Sequence, residues 1–92
     1  MDSRELVAWN MRRLRVERKL SQEKLAERAG VDRTYVSRLE RGMENPSIGI
    51  LDKVATALSV SIAELFIPPA LDEARPKPLK AGRRPAIRSD AS

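Results

Sequence analysis

The sequence predicts an all-α fold: a compact bundle of five short helices over residues 1–67, followed by a flexible tail over 68–92. Three observations lead there. Helix-start signals recur at Asp2, Ser21, Asp32, Ser47 and Ser61, each followed by apolar residues at helical spacing. The stretch Leu20–Arg41 divides at Gly30 into two short amphipathic helices joined by a tight turn. Apolar residues make up 41% of the chain but include one Phe, one Tyr and one Trp, so the core must be built from Leu, Val, Ile and Ala.

Each element has its own local cause. Asp2 with Glu5 three residues on forms a capping box for a first helix to about Arg18, with Leu6, Val7, Met11 and Leu14 facing inward and Trp9 at the edge of that face. Ser21 caps a second helix whose first turn holds Gln22 and Glu23, groups that suit the positive end of the helix dipole. Leu25, Ala26 and Ala29 form its inner face, and Gly30 ends it as a left-handed C-cap. Val31 plugs the turn, Asp32 caps the third helix, and Gly42 closes it. Asn45-Pro46 forces an extended step before Ser47 opens a fourth helix, about Ile48 to Leu58. Ser61 with Glu64 offers a second capping box, opening a last short helix that ends at Phe66 or Ile67.

After Ile67 the composition changes. Five of the six prolines (Pro68, Pro69, Pro76, Pro78, Pro85) fall here, and large apolar residues reduce to Leu71, Leu79 and Ile87. Six basic residues against three acidic ones give this tail much of the chain's net charge of +5. Its Lys80–Pro85 segment resembles the Gly-Arg-Pro cores that lie in minor grooves, with an extra arginine that breaks the pattern. Non-specific phosphate attraction is the simpler role, and it predicts that removing residues after Ile67 lowers the salt slope of binding without changing sequence preference.

Composition excludes several function classes. Without Cys or His there are no disulfides, thiolate nucleophiles, soft-metal sites or imidazole acid–base groups, so the chain is expected to be no enzyme and to carry no metal or cofactor. No apolar run approaches the roughly 20 residues that span a bilayer, and the start lacks a signal peptide's apolar stretch, so a cytoplasmic location without membrane contact is expected. A pI near 10.2 puts polyanions first among partners.

The third helix supplies the functional signal. At about 100° per residue, Arg33, Thr34, Ser37, Arg38 and Arg41 form one continuous stripe, while Val36 and Leu39, helped by the Tyr35 ring, lie opposite. A helix with an apolar underside and an outward row of guanidiniums and hydroxyls is built to enter a major groove. Arg33 and Arg38 can each donate two hydrogen bonds to guanine O6 and N7, and Thr34 can reach a thymine methyl or a phosphate. The competing account makes them solvated surface residues. Tyr35 is equally suited to contact through its hydroxyl and to packing. Arg12, Arg13, Arg18 and Lys19 read as a solvated face, and so do Glu23 and Glu27 beside Lys24 and Arg28, rather than as a metal pair.

The pattern Arg15…Ser21-Gln22-x-x-Leu25-Ala26…Gly30-Val31…Val36-Ser37-x-x-Glu40-x-Gly42…Asn45-Pro46-Ser47 resembles the helix-turn-helix regulators of the Cro and lambda-repressor superfamily from about Trp9 to Phe66. Within it, Asp32-Arg33-Thr34-Tyr35-Val36-Ser37 most resembles the controller proteins of restriction–modification systems. The resemblance implies a lambda-repressor-like DNA-binding and dimerisation domain over residues 1–67. It makes Arg33, Thr34 and Arg38 base-facing and Gln22, Ser37, Arg41 and Asn45 phosphate contacts; the Tyr35 hydroxyl is a further candidate phosphate contact on its chemistry alone. It also pairs Arg15 with Glu40 as a partly buried bridge between the first and third helices. The family's usual glycine before Leu20 is Lys19 here.

The fourth helix spreads its apolar residues over about 180° of the wheel, wider than the roughly 100° stripe of a one-sided surface helix. With the last helix it offers Leu51, Val54, Leu58, Ile62, Leu65, Phe66 and Ile67 to a second copy, unless the tail folds back through Leu71 to cover them. One recognition helix reads too few base pairs to stand out in a genome. The expectation is a homodimer on a near-palindromic double-stranded DNA operator with half-sites about 34 Å apart, controlling its own promoter as repressor or activator. RNA polymerase is then a further candidate partner. Two rival readings are an antitoxin whose tail wraps a toxin protein, and a protein-interaction adaptor that uses the fold without reading bases.

Overall fold

A computed structural model describes residues 1–69, and the tail expectations that fall on 70–92 lie outside the described residues. Four α-helices, α1 (Ser3–Glu17), α2 (Gln22–Ala29), α3 (Arg33–Glu40) and α4 (Ile48–Ala57), precede a 3₁₀ turn at Ile62–Phe66. Among the described residues there is no strand. α3 packs between α1 and α2, α2 packs on α4, and the 3₁₀ turn closes against α1 and α4. One core joins Val7, Met11 and Leu14 to Leu25, Val36, Leu39, Leu51, Val54, Leu58 and Leu65. Met11, Leu25, Val36, Val54, Leu58 and Leu65 are wholly enclosed, and burial of each Leu contributes about 2–3 kcal/mol.

The helix starts follow the sequence at three sites. The Asp2 carboxylate accepts from Glu5 N and the Glu5 carboxylate from Asp2 N, both at 2.9 Å. Ser21 Oγ accepts from Lys24 N at 2.9 Å, and Ser47 Oγ from Ile50 N at 3.1 Å. Two expectations are corrected. Asp32 stands at the N-cap of α3 but makes no side-chain cap hydrogen bond. Ser61 likewise caps nothing with its hydroxyl, and the last element is a 3₁₀ turn with Glu64 N bonded to the Ser61 carbonyl at 3.0 Å.

All four α-helices end in the same way. Gly30 and Gly42 adopt left-handed conformations with φ of 73° and 70°, but so do Lys19 at 58° and Ser59 at 61°. After each, the next amide closes a six-residue loop: Leu20 N to Arg15 O, Val31 N to Ala26 O, Met43 N to Arg38 O and Val60 N to Ala55 O, all within 3.0–3.1 Å. These are Schellman motifs. Leu20, Val31 and Val60 then turn onto the core, so apolar packing holds a lysine and a serine where glycine would be unstrained.

The apolar face expected for a second copy divides in two. Leu51, Val54, Leu58 and Leu65 are buried within one copy, at 4% exposure or less, and so are spent on the chain's own core. That part of the expected interface is corrected. The excess width of the α4 pattern arises because α2 and the 3₁₀ turn cover it from two sides. Ile62 is half-buried, while Ile48 (66%), Phe66 (39%) and Ile67 (44%) stay at the surface.

Candidate nucleic-acid interface

Helix α3 lies on its apolar underside: Val36 is fully enclosed and Leu39 nearly so. Its outer face therefore turns to solvent, with Arg33, Thr34 and Arg41 exposed and Ser37 and Arg38 half-exposed. The stripe inferred from spacing is thus one continuous surface. Arg41 Nε reaches back to the Ser37 carbonyl at 3.4 Å, which lays its guanidinium along the helix end. Asn45 is exposed on the loop that follows.

The brace behind α3 is the ion pair expected between Arg15 and Glu40. Arg15 Nε donates to Glu40 Oε2 at 2.6 Å and a terminal nitrogen donates to Oε1 at 3.0 Å, a bidentate geometry that fixes both distance and plane. The third Arg15 donor goes to the Leu20 carbonyl at 2.8 Å, in the turn before α2. Glu40 is almost wholly enclosed, its side chain 3% exposed, and it also accepts from Gln22 Nε2 at 3.1 Å. One carboxylate thus ties α1, α2 and α3 together. Gln22, expected at a phosphate, has one amide bond committed to this brace and sits half-buried at the start of α2.

Tyr35 is half-buried, in keeping with its place at the edge of the apolar underside. Burial, and then the nearby Glu44 carboxylate, raise its hydroxyl above the ordinary value of 10.0, so it stays a neutral donor throughout the physiological range.

Two residues escaped sequence reasoning. Glu44, in the loop between α3 and α4, pairs with Arg38 through Nε. Arg38 is therefore not a free surface cation, and only a loop turned back by Gly42 brings together residues six apart. Asn10 is completely buried, and its amide donates to the carbonyls of Leu65 at 3.0 Å and Ile67 at 2.9 Å while its oxygen accepts from Arg13 at 2.9 Å. Its signal was present: a polar residue midway between Leu6 and Leu14, four from each, interrupts an apolar stripe.

A helix-turn-helix family profile matches residues 11–65, which takes in α2, its turn and α3. The chain belongs to the helix-turn-helix family. A hypothetical transcription factor of Neisseria meningitidis is 46% identical to this family member over 68 residues, 74% of this chain and 64% of that protein, so the match spans just under two thirds of the relative's length. The control protein C.SmaI of Serratia marcescens is 42% identical over 66 residues, covering 72% of this chain and 79% of that one. Among solved structures, the restriction–modification controller protein C.AhdI of Aeromonas hydrophila matches with a TM-score of 0.67 at 43% identity, over 68% of this chain and 96% of that one. The helix-turn-helix fold, the family resemblance and the likeness to controller proteins therefore agree. Among the described residues no helix is long and apolar enough to cross a membrane.

Proposed function

We propose that this helix-turn-helix chain is a sequence-specific transcription regulator that lays α3 in the major groove of double-stranded DNA. The observation that carries the reading is the outward row on α3, Arg33, Thr34, Arg38 and Arg41, on a helix whose orientation is set by a buried apolar underside and by the Arg15–Glu40 pair. In this reading Arg33, Thr34 and Arg38 meet base edges. Ser37, Arg41, Asn45, the Tyr35 hydroxyl and the free edge of the Gln22 amide meet phosphates.

Reading enough base pairs takes two recognition helices, so the working unit is a homodimer on a near-palindromic operator. The residues left for its interface are Ile48, Phe66 and Ile67, which stay at the surface of one copy, and the half-buried Ile62. Dimerisation makes occupancy depend steeply on concentration, which suits an operator at the chain's own promoter. Repression or activation then follows from where that operator lies relative to the polymerase site.

Selection of bound duplexes from random DNA, repeated at two salt concentrations, tests the reading. A dyad-symmetric consensus that survives the higher salt is expected, and loss of all enrichment would overturn it. The Arg33→Ala, Arg38→Ala double variant is expected to lose specific binding while keeping its fold, because neither side chain enters the core.

A further inference from the structure

Glu44 is a negative charge at the face assigned to DNA, where it lowers affinity for any polyanion. Its position is nonetheless well defined. Gly42 reverses the chain at φ 70°, the Met43 amide bonds to the Arg38 carbonyl at 3.0 Å, and the next residue, Glu44, is brought alongside the Arg38 side chain. Its Oε2 takes the Arg38 Nε–H, with the two side chains 26% and 41% exposed. Among the described residues, no protein acceptor takes the two terminal amino groups of Arg38.

The choice of nitrogen matters. A guanidinium has five donor hydrogens, one on Nε and four on the terminal nitrogens, and a guanine's O6 and N7 accept as a pair. With Nε held by a carboxylate, the terminal groups project beyond it and the long side chain loses most of its rotamers. An unheld arginine at this site would reach phosphates on either strand equally well. Such contacts add affinity for every sequence and discrimination for none.

We propose that Glu44 is a positioning residue for base readout: it holds the Arg38 guanidinium by Nε so that its terminal amino groups meet a guanine, and it withholds Arg38 from the phosphates. The proposal rests on the DNA-binding reading above. It exchanges general affinity for selectivity at one base pair in each half-site. The proximity of the same carboxylate to the Tyr35 hydroxyl agrees with a Glu44 turned toward α3 rather than out to solvent.

The test uses the full chain and duplexes carrying the selected operator, each single base-pair substitution of it, and random sequence. The base pair whose identity ceases to matter in Arg38→Ala marks the position that Arg38 reads. Glu44→Gln is expected to reduce discrimination at that same base pair about tenfold, with Glu44→Ala reducing it further, and to leave the other positions unchanged. Binding to random duplex is expected to tighten, with a log–log salt slope steeper by about one as Arg38 gains a phosphate. In the Arg38→Ala background, Glu44→Gln is expected to have no effect on discrimination. Thermal melting of each variant controls for folding, and a general loss of structure would weaken all base pairs alike. Discrimination that stays intact in both Glu44 variants, or falls evenly at every position, overturns the role of Glu44 while leaving the DNA reading in place. A wild-type chain that prefers no sequence overturns both.

Discussion

Arg15 and Glu40, separated by 25 residues, meet through two N–H···O bonds of 2.6 and 3.0 Å in a niche that leaves their side chains 14% and 3% exposed. This pair sets the tilt of α3 against α1. Removing either partner strands the other, and the two losses differ. Without Arg15, the Glu40 carboxylate is left enclosed with the Gln22 amide; without Glu40, the long Arg15 side chain can swing toward water. Arg15→Ala is therefore expected to cost about 3–5 kcal/mol and Glu40→Ala less. Replacing both by Met and Leu should restore most of the loss. Urea midpoints of the three variants check the order.

Lys19 and Ser59 hold left-handed backbone at φ of 58° and 61°, a conformation that costs an ordinary residue about 1–2 kcal/mol. Lys19→Gly and Ser59→Gly are each expected to stabilise the chain, by about 0.5–1 kcal/mol once the glycine's greater unfolded-state freedom is deducted. Gly30→Ala is the converse case. An added Cβ there meets nothing within 4 Å, so its cost of about 1 kcal/mol is backbone strain alone. Melting temperatures measured side by side would show two rises and one fall.

Asn10 anchors the end of the described chain through the carbonyls of Leu65 and Ile67. Asn10→Ala leaves buried acceptors unpaired and is expected to cost about 1–3 kcal/mol. Asn10→Asp sets a carboxylate oxygen against those carbonyls and is expected to do worse. Because Phe66 and Ile67 are carried on this segment, faster amide exchange over 62–67 and weaker self-association in sedimentation should accompany the loss of stability.

Tyr35 gives the fold an alkaline signature. Its hydroxyl is raised above 10.0 by burial and then by Glu44, so the folded chain holds this proton more tightly than the unfolded chain. The resulting stability is complete below pH 10 and is lost as pH rises through the raised value. Tyr35→Phe should flatten that part of the decline in unfolding free energy above pH 10. An identical alkaline decline in both proteins would show that Tyr35 contributes nothing to it.

Most features written within one helical turn were legible in the sequence, although Asp32 and Ser61 make no side-chain cap hydrogen bond. The Asp2–Glu5 box, the Ser21 and Ser47 caps, the Gly30 and Gly42 stops and the α3 stripe all depend on contacts three or four residues apart, which the order of residues specifies directly. The Arg15–Glu40 pair, which spans 25 residues, was supplied by the family resemblance rather than by spacing. Packing decided the remainder. It sent Leu51, Val54, Leu58 and Leu65 into the chain's own core, because α2 and the 3₁₀ turn cover α4 from two directions that a helical wheel does not show. It bent Lys19 and Ser59 into left-handed backbone, because Leu20 and Val60 gain more by reaching the core than those residues lose in strain. It set Asn10 beneath carbonyls 55 and 57 residues away and Glu44 beside Arg38. A local pattern fixes what each helix offers, whereas the partner that takes up the offer is chosen by close packing and by the pairing of buried polar groups such as Asn10 and the Glu40 carboxylate.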